Sequence, residues 1–150
     1  MAETTTARNA CSVAVWLDNA AGTAVDISGS SNQVDIALDY KLGEYTTFGG
    51  CCTYRLECGS DATITLNAVY TTAAGEAREA LSLWGTMGCN KNARTLSVYL
   101  PDKNVGSEHW SGEFRLESLN ITGDHNDAGP MPVTAVFKPH GCVSYTVAAT

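Results

Sequence analysis

Three histidines, six cysteines and one short acidic turn are the residues of this 150-residue chain whose types could support catalysis or metal binding. Nucleophilic catalysis needs a Ser or Cys beside a histidine that an acid can orient. His109, His125 and His140 all fall in stretches that read as loops, and no G-x-S-x-G elbow accompanies them. A zinc site could draw on Cys51, Cys52, Cys58, Cys89, His140 and Cys142, but structural zinc sites pair cysteines with two to four residues between them and no such pair occurs. Cys51 and Cys52 are adjacent, and His140-Gly141-Cys142 is too tight for the common knuckle. A Cys52–Cys58 disulfide competes better than zinc. The irregular spacing of these residues and of Cys11 argues for reduced thiols packed as small buried apolar groups. Asp124-His125-Asn126-Asp127 resembles part of a calcium loop, yet it lacks the D-x-D-x-D-G periodicity and the closing Glu, which leaves a solvated turn. No catalytic residue, metal or cofactor follows from these patterns, and the chain reads as a non-enzyme.

The composition describes the scaffold. Hydrophobic residues make up 44%, enough for the core of one domain. Mean hydropathy is -0.08 and no apolar run approaches the roughly 20 residues that span a bilayer, so no membrane partner is expected. Met1–Ala10 is polar and threonine-rich, which predicts a flexible arm and not a secretory signal. The net charge of -7 disfavours ordinary nucleic-acid binding, and the nine Lys and Arg residues form no stripe. An acidic wall past which DNA slides without sticking would fit that charge.

Strand signals dominate. Ser12–Leu17 alternates, the turn at Asn19–Gly22 follows, and Thr23–Ile27 is its partner; Ser28–Asn32 is a polar loop. In Gln33–Tyr40 the apolar face is Val34, Ile36, Leu38 and Tyr40, with Asp35 and Asp39 opposite. Lys41–Thr53 reads as a long irregular loop. Tyr54–Cys58 and Ala62–Tyr70 read as two strands about a Gly59-Ser60-Asp61 turn. Ala77, Ala80, Leu81 and Trp84 fall at helical spacing within Gly75–Trp84, with Gly85 as the stop. Arg94–Leu100 alternates again, and Pro101–Gly112 is a polar connection holding His109 and Trp110. In Glu113–Ile121 the apolar face switches between Phe114/Leu116 and Leu119/Ile121, which predicts a bulge. Val133–Lys138 and Val143–Ala148 read as a closing hairpin. About nine strands and one helix give a mainly β fold, a β-sandwich or partly open barrel with one flanking α-helix. Trp84 belongs to the core and Trp16 is half-buried, while Trp110 is either a contact for another chain or a lid on this one.

The stretch Asp26–Ile36, the segment Leu42–Gly49, the helix, and the strands Arg94–Pro101 and Gly112–Leu119 resemble, in order and character, the tail tube proteins of long-tailed siphophages. The resemblance covers nearly everything from Ser12 onward. It implies the phage tail tube fold, hexameric rings whose inner sheets join into one barrel, and stacking of rings into a hollow tube. It implies as partners other copies of the chain, the tape measure protein, and terminator and distal tail or baseplate proteins, with DNA passing through the lumen of a virion tail assembled in the host cytoplasm. On this reading Asp35, Asp39 and Glu117 line the lumen. Lys41–Thr53 reaches another ring or protomer through Leu42, Tyr45 and Phe48, and Trp110 joins that contact. Two alternatives compete: a carbohydrate- or receptor-binding β-sandwich of a fibre or capsid, and another component sharing the tube fold, such as a terminator or distal tail protein.

Overall fold

The computed structural model describes residues 11–47, 49–50, 52–85, 92–104 and 106–147. Its strands are β1 Ala14–Asp18, β2 Ala24–Asp26, β3 Ser31–Tyr45, β4 Tyr54–Val69, β5 Arg94–Leu100, β6 Glu108–Ile121, β7 Pro132–Pro139 and β8 Ser144–Val147. One α-helix, α1 Ala77–Gly85, lies between β4 and β5. The strands form one antiparallel sheet in the order β2-β1-β5-β6-β7-β4-β3, with β8 added beside β6. Among the described residues the fold is mainly β with a single helix, as the strand-rich pattern predicts.

Alternation in the sequence becomes alternation of burial. Val15, Leu17, Leu96, Val98, Ile64, Leu66, Val133, Ala135 and Phe137 all point to one face, where they merge with the helix into one core cluster. The sheet must therefore curl about the helix, and β2 and β3 remain its unpaired ends. Ala77, Leu81 and Trp84, four and three residues apart, form the buried stripe of α1, and Trp84 stacks on Phe137 with ring centroids 5.8 Å apart. The Trp84 indole N–H donates to the Asn92 carbonyl at 3.1 Å, so its one polar atom is satisfied inside. At the other end, the Ala77 N–H donates to the hydroxyl of buried Ser30 at 3.1 Å, and the Gly75 N–H to Glu79 Oε2 at 2.6 Å. Ser28–Ser30 is a 3-10 turn and no idle loop: it ties the sheet to the helix start.

The switch of apolar face in β6 is resolved as expected. Leu116 pairs with Phe137 and Ser118 with Val136, leaving Glu117 as the extra residue of a bulge. Leu119 thereby returns to the core side.

Four expectations need correction. Gly59-Ser60-Asp61 has turn composition, yet each residue faces a partner on β3 (Lys41, Tyr40 and Asp39), so β4 is one continuous strand. Its extra residue is absorbed at a bulge where Lys41 faces Gly59 but Leu42 faces Glu57, and the described residues hold eight strands where nine were expected. Lys41–Tyr45 is likewise strand, because cross-strand pairing continues to Tyr45 opposite Tyr54, and the true connection starts at Thr46. His109 and Trp110 lie on β6, since pairing with β5 extends that strand back to Glu108. Finally, β7 and β8 form no hairpin. Both pair with the side of β6 that β5 leaves open, one after the other, interrupted near Gly141 at φ +121°.

Candidate assembly surface

The face of the sheet turned away from the helix is polar, and four strands arrange it in rows. Gln33, Asn67, Thr134 and Asn120 form the first row across β3, β4, β7 and β6. Thr134 donates to Asn67 Oδ1 at 2.9 Å and the Asn67 amide donates to Gln33 Oε1 at 3.2 Å. Asp35, Thr65, Val136 and Ser118 form the second row. In the third, Ala37 faces Thr63 and Arg115 faces Lys138, whose ammonium donates to Thr63 Oγ1 at 2.6 Å. Beyond it Asp39 stands opposite Asp61, and Lys138 lies 3.9 Å from the Asp61 carboxylate.

Asp35 and Asp39 thus share one exposed face with Asp61, which is a strand residue despite its turn-like neighbours. Glu117 does not join them: on its bulge at the far side of the four strands it lines a hollow with Ser82 and Gly85 of the helix.

This four-stranded face ends in two open edges. Among the described residues β3 has a partner on one side only. Along Arg115–Ile121, β6 has β7 on one side and, among the described residues, no strand on the other, because β5 pairing stops at Arg94 opposite Phe114. Adjacent strands alternate in direction, so β3 and β6 run antiparallel to each other. Unpaired edges of this kind are templates for another strand.

From Ala37 to Tyr45, β3 pairs only with β4, which leaves β7 beyond the Ile64–Phe137 pair. These residues form a two-stranded arm about 30 Å long at the usual rise per residue. Its large apolar side chains lie open: Leu38, Tyr40, Leu42, Tyr45, Tyr54 and Leu56, with Tyr40 and Leu56 each 58% exposed. Tyr45 stacks on Tyr54 at 5.4 Å, and Arg55 Nε meets Glu44 Oε1 at 2.9 Å. Of the expected contact residues, Leu42 and Tyr45 are on the arm, and Phe48 lies outside the described residues. Trp110 sits at the arm's root, where it, Leu38, Tyr40 and Tyr145 border one hollow. It packs against the core and tilts onto Tyr145 at 4.8 Å, so it is a lid with one side open.

The residues with chemical potential are dispersed. His109 stacks on Tyr99 at 4.2 Å beneath a loop whose Lys103 ammonium lies 3.7 Å from the Trp16 ring centre. Burial, and secondarily Lys103, lower the His109 pKa. His140 Nδ1 accepts from Arg115 Nε at 3.4 Å, and His125 is exposed. Asp124 and Asp127 each accept a backbone N–H of their own turn at 2.9 Å. Among the described residues no three His, Cys, Asp or Glu gather as a metal site. The expectation of buried thiols fails for Cys11, Cys52 and Cys142, which are exposed because they precede β1, sit at the arm's tip and lie in the β7–β8 interruption. Cys52 is a free thiol; Cys51, Cys89 and the Cys58 side chain lie outside the described residues.

No family model and no curated protein sequence matches the chain. Solved structures do. A chain of the tail of an empty gene transfer agent particle, refined helically in C6 symmetry, superposes with a TM-score of 0.70 at 19% identity, over 94% of this chain and 100% of that one. The SPP1 tail tube gives 0.67 at 10% identity, over 93% and 78%. A chain of the sheath–tube complex of an extracellular contractile injection system gives 0.72 at 14% identity, over 97% and 95%. The chain has the fold from which phage tail tubes are built.

Proposed function

We propose that this chain is the structural subunit of a bacteriophage tail tube, in which copies join edge to edge into hexameric rings and the rings stack around a lumen. The observation that carries the reading is the arm. A two-stranded ribbon is marginally stable alone, and one exposing six large apolar side chains has to be covered. A neighbouring copy supplies that cover through Leu42, Tyr45 and Phe48 near the tip and Trp110 at the root. Joining the open edges of β3 and β6 keeps every strand antiparallel and removes the unpaired backbone groups. The C6 symmetry of the gene transfer agent tail supports six copies per ring.

On this reading the polar face, with Asp35, Asp39 and Asp61, lines the lumen, and DNA passes without being held. Glu117, beside the helix, contributes less to that lining. The tape measure protein would precede DNA in the lumen, and terminator and distal tail or baseplate proteins would close the ends of the virion tail. The subunit works by assembly and needs no catalytic group. The resemblance to both a siphophage tube and a contractile system extends the proposal to either kind of tail.

A second reading is favoured by one comparison. A chain of the anti-feeding prophage tube-terminating cap has a TM-score of 0.73 at 13% identity, over 99% of this chain and 95% of that one, so a subunit closing one tube end would also fit. A cap would stop at one ring, whereas a tube subunit stacks without limit.

The test is Tyr40→Asp with Leu42→Asp and Leu56→Asp, followed by sedimentation velocity. The variant should remain a folded monomer at concentrations where the unsubstituted chain forms rings or tubes. Equal assembly of both would remove the arm from the account.

A further inference from the structure

Each open edge is flanked, on the helix side of the sheet, by a hollow. Beside β6, a hollow of about 400 Å³ is bordered by Leu116, Leu119 and Ile121 and by Ser82 and Gly85 of α1. Beside β3, a second hollow of about 250 Å³ opens where the chain enters β1 and β3, and Val13, Val15, Val34 and Leu100 line it together with Ser28 and Ser31. Val13, Val34 and Leu100 pack against the core but are only partly buried. Ile121 projects from the other edge with 38% of its surface exposed. One edge thus offers an apolar side chain, and the other offers a hollow with apolar walls.

We infer that Ile121 of one copy seats in the β1–β3 hollow of the next, so that the two hollows close on each other as an apolar core shared between copies. The inference rests on the edge-to-edge reading above and names what that joint buries on its helix side. Parity fixes the face, because residues that stand opposite in an antiparallel pair share one side of the sheet. Position follows from the rows. On the helix side one row runs Ser31, Ala68, Val133, Ile121, and the next runs Val34, Leu66, Ala135, Leu119. Copies joined with their rows in line put Ile121 beside Ser31 of the neighbour and Leu119 beside its Val34, both of which line the hollow. A stagger of one row toward the arm puts Ile121 beside Val34 instead, and it still meets the hollow. Area points the same way. Backbone pairing along Arg115–Ile121 is a strip about 20 Å long and about 5 Å wide, far short of the roughly 1,200 Å² or more that a specific interface buries, so side chains on the faces of the joint have to meet. The chain's own Met1–Ala10, which leads into Cys11 in the hollow's lining, is polar and threonine-rich and matches those apolar walls poorly.

Substitution at the edge tests this. Ile121→Asp places a carboxylate where the isoleucine seats and should raise the concentration needed for assembly at least about tenfold, since every joint loses the burial of one large apolar side chain. Ile121→Val keeps the shape of the side chain and should cost only a fewfold. Melting of each variant as a dilute monomer checks folding. Photo-crosslinking gives a readout that does not depend on the aspartate variant folding. With p-benzoylphenylalanine at position 121, in assemblies mixed from isotope-labelled and unlabelled chains, links should form to peptides holding Val13, Val34 or Leu100 of a different copy. A folded Ile121→Asp that assembles like the unsubstituted chain would overturn the inference while leaving the edge-to-edge reading intact. So would links confined to the same copy, its first ten residues included, or to other segments of a neighbour. An unsubstituted chain that never assembles would overturn both.

Discussion

The zone around the helix and the projecting arm are built from the same two strands, and they solve the burial problem in opposite ways. Near the helix, Ile64 and Leu66 of β4 are each 1% exposed, packed with Leu81, Trp84 and Phe137. Farther along, the same strand presents Tyr54 and Leu56 to solvent, and its partner presents Tyr40 and Leu42. Strand chemistry is no poorer in the arm: the ladder continues to the Tyr45–Tyr54 pair. What changes is the loss of a third layer. Apolar pattern alone forms a strand, but only a covering element makes it core, and here the cover ends at Phe137 while the pattern runs on.

That contrast can be broken first by amide exchange on the dilute chain. Arm amides between Leu38 and Glu44 should exchange several orders of magnitude faster than those of β5 and β7, because few contacts oppose their local opening. Equal protection of both zones would mean that the arm is completed within one copy. The second effect in size concerns side-chain truncation, read from denaturant midpoints. Phe137→Ala should cost about 3–5 kcal/mol by leaving a cavity against Trp84, whereas Leu56→Ala in the monomer should stay within about 0.5 kcal/mol. A third, smaller effect belongs to the tie between sheet and helix. Ser30→Ala leaves the buried Ala77 N–H without its acceptor and should cost about 1 kcal/mol in the same measurement.

The smallest effect is one of pH. His109 is held with a lowered pKa, so its neutral form is favoured in the fold. Its contribution is fully present above the unfolded value of about 6.5 and is lost as pH falls toward the lower folded value, because the unfolded chain takes up the proton first. Lys103→Gln should shrink that loss by removing one of the two causes. An NMR titration placing His109 at the unfolded value would remove the effect, and one placing it above would reverse the sign.

Much of this was legible in the residues. Arg94–Leu100 is strand from end to end as its alternation requires, and the stripe Ala77, Leu81, Trp84 marks both the helix and its buried side. The bulge at Glu117 was readable because two apolar pairs fell on opposite faces of one run. The polar set Asp35 and Asp39 followed from period-two alternation in β3. Turn composition misled at Gly59-Ser60-Asp61, where partners 18 to 22 residues away on β3 (Lys41, Tyr40 and Asp39) override local preference. The same distance effect hid the pairing of His109 and Trp110, and the roles of Ser30, Asp61 and Lys138 depend on strands that only the folded sheet brings together.

The central claim is that a single copy leaves its sheet and arm unfinished. Electron microscopy of the purified chain over rising concentration tests it most directly. Six-membered rings or stacked tubes should form, and exclusively single compact particles at every concentration would contradict it.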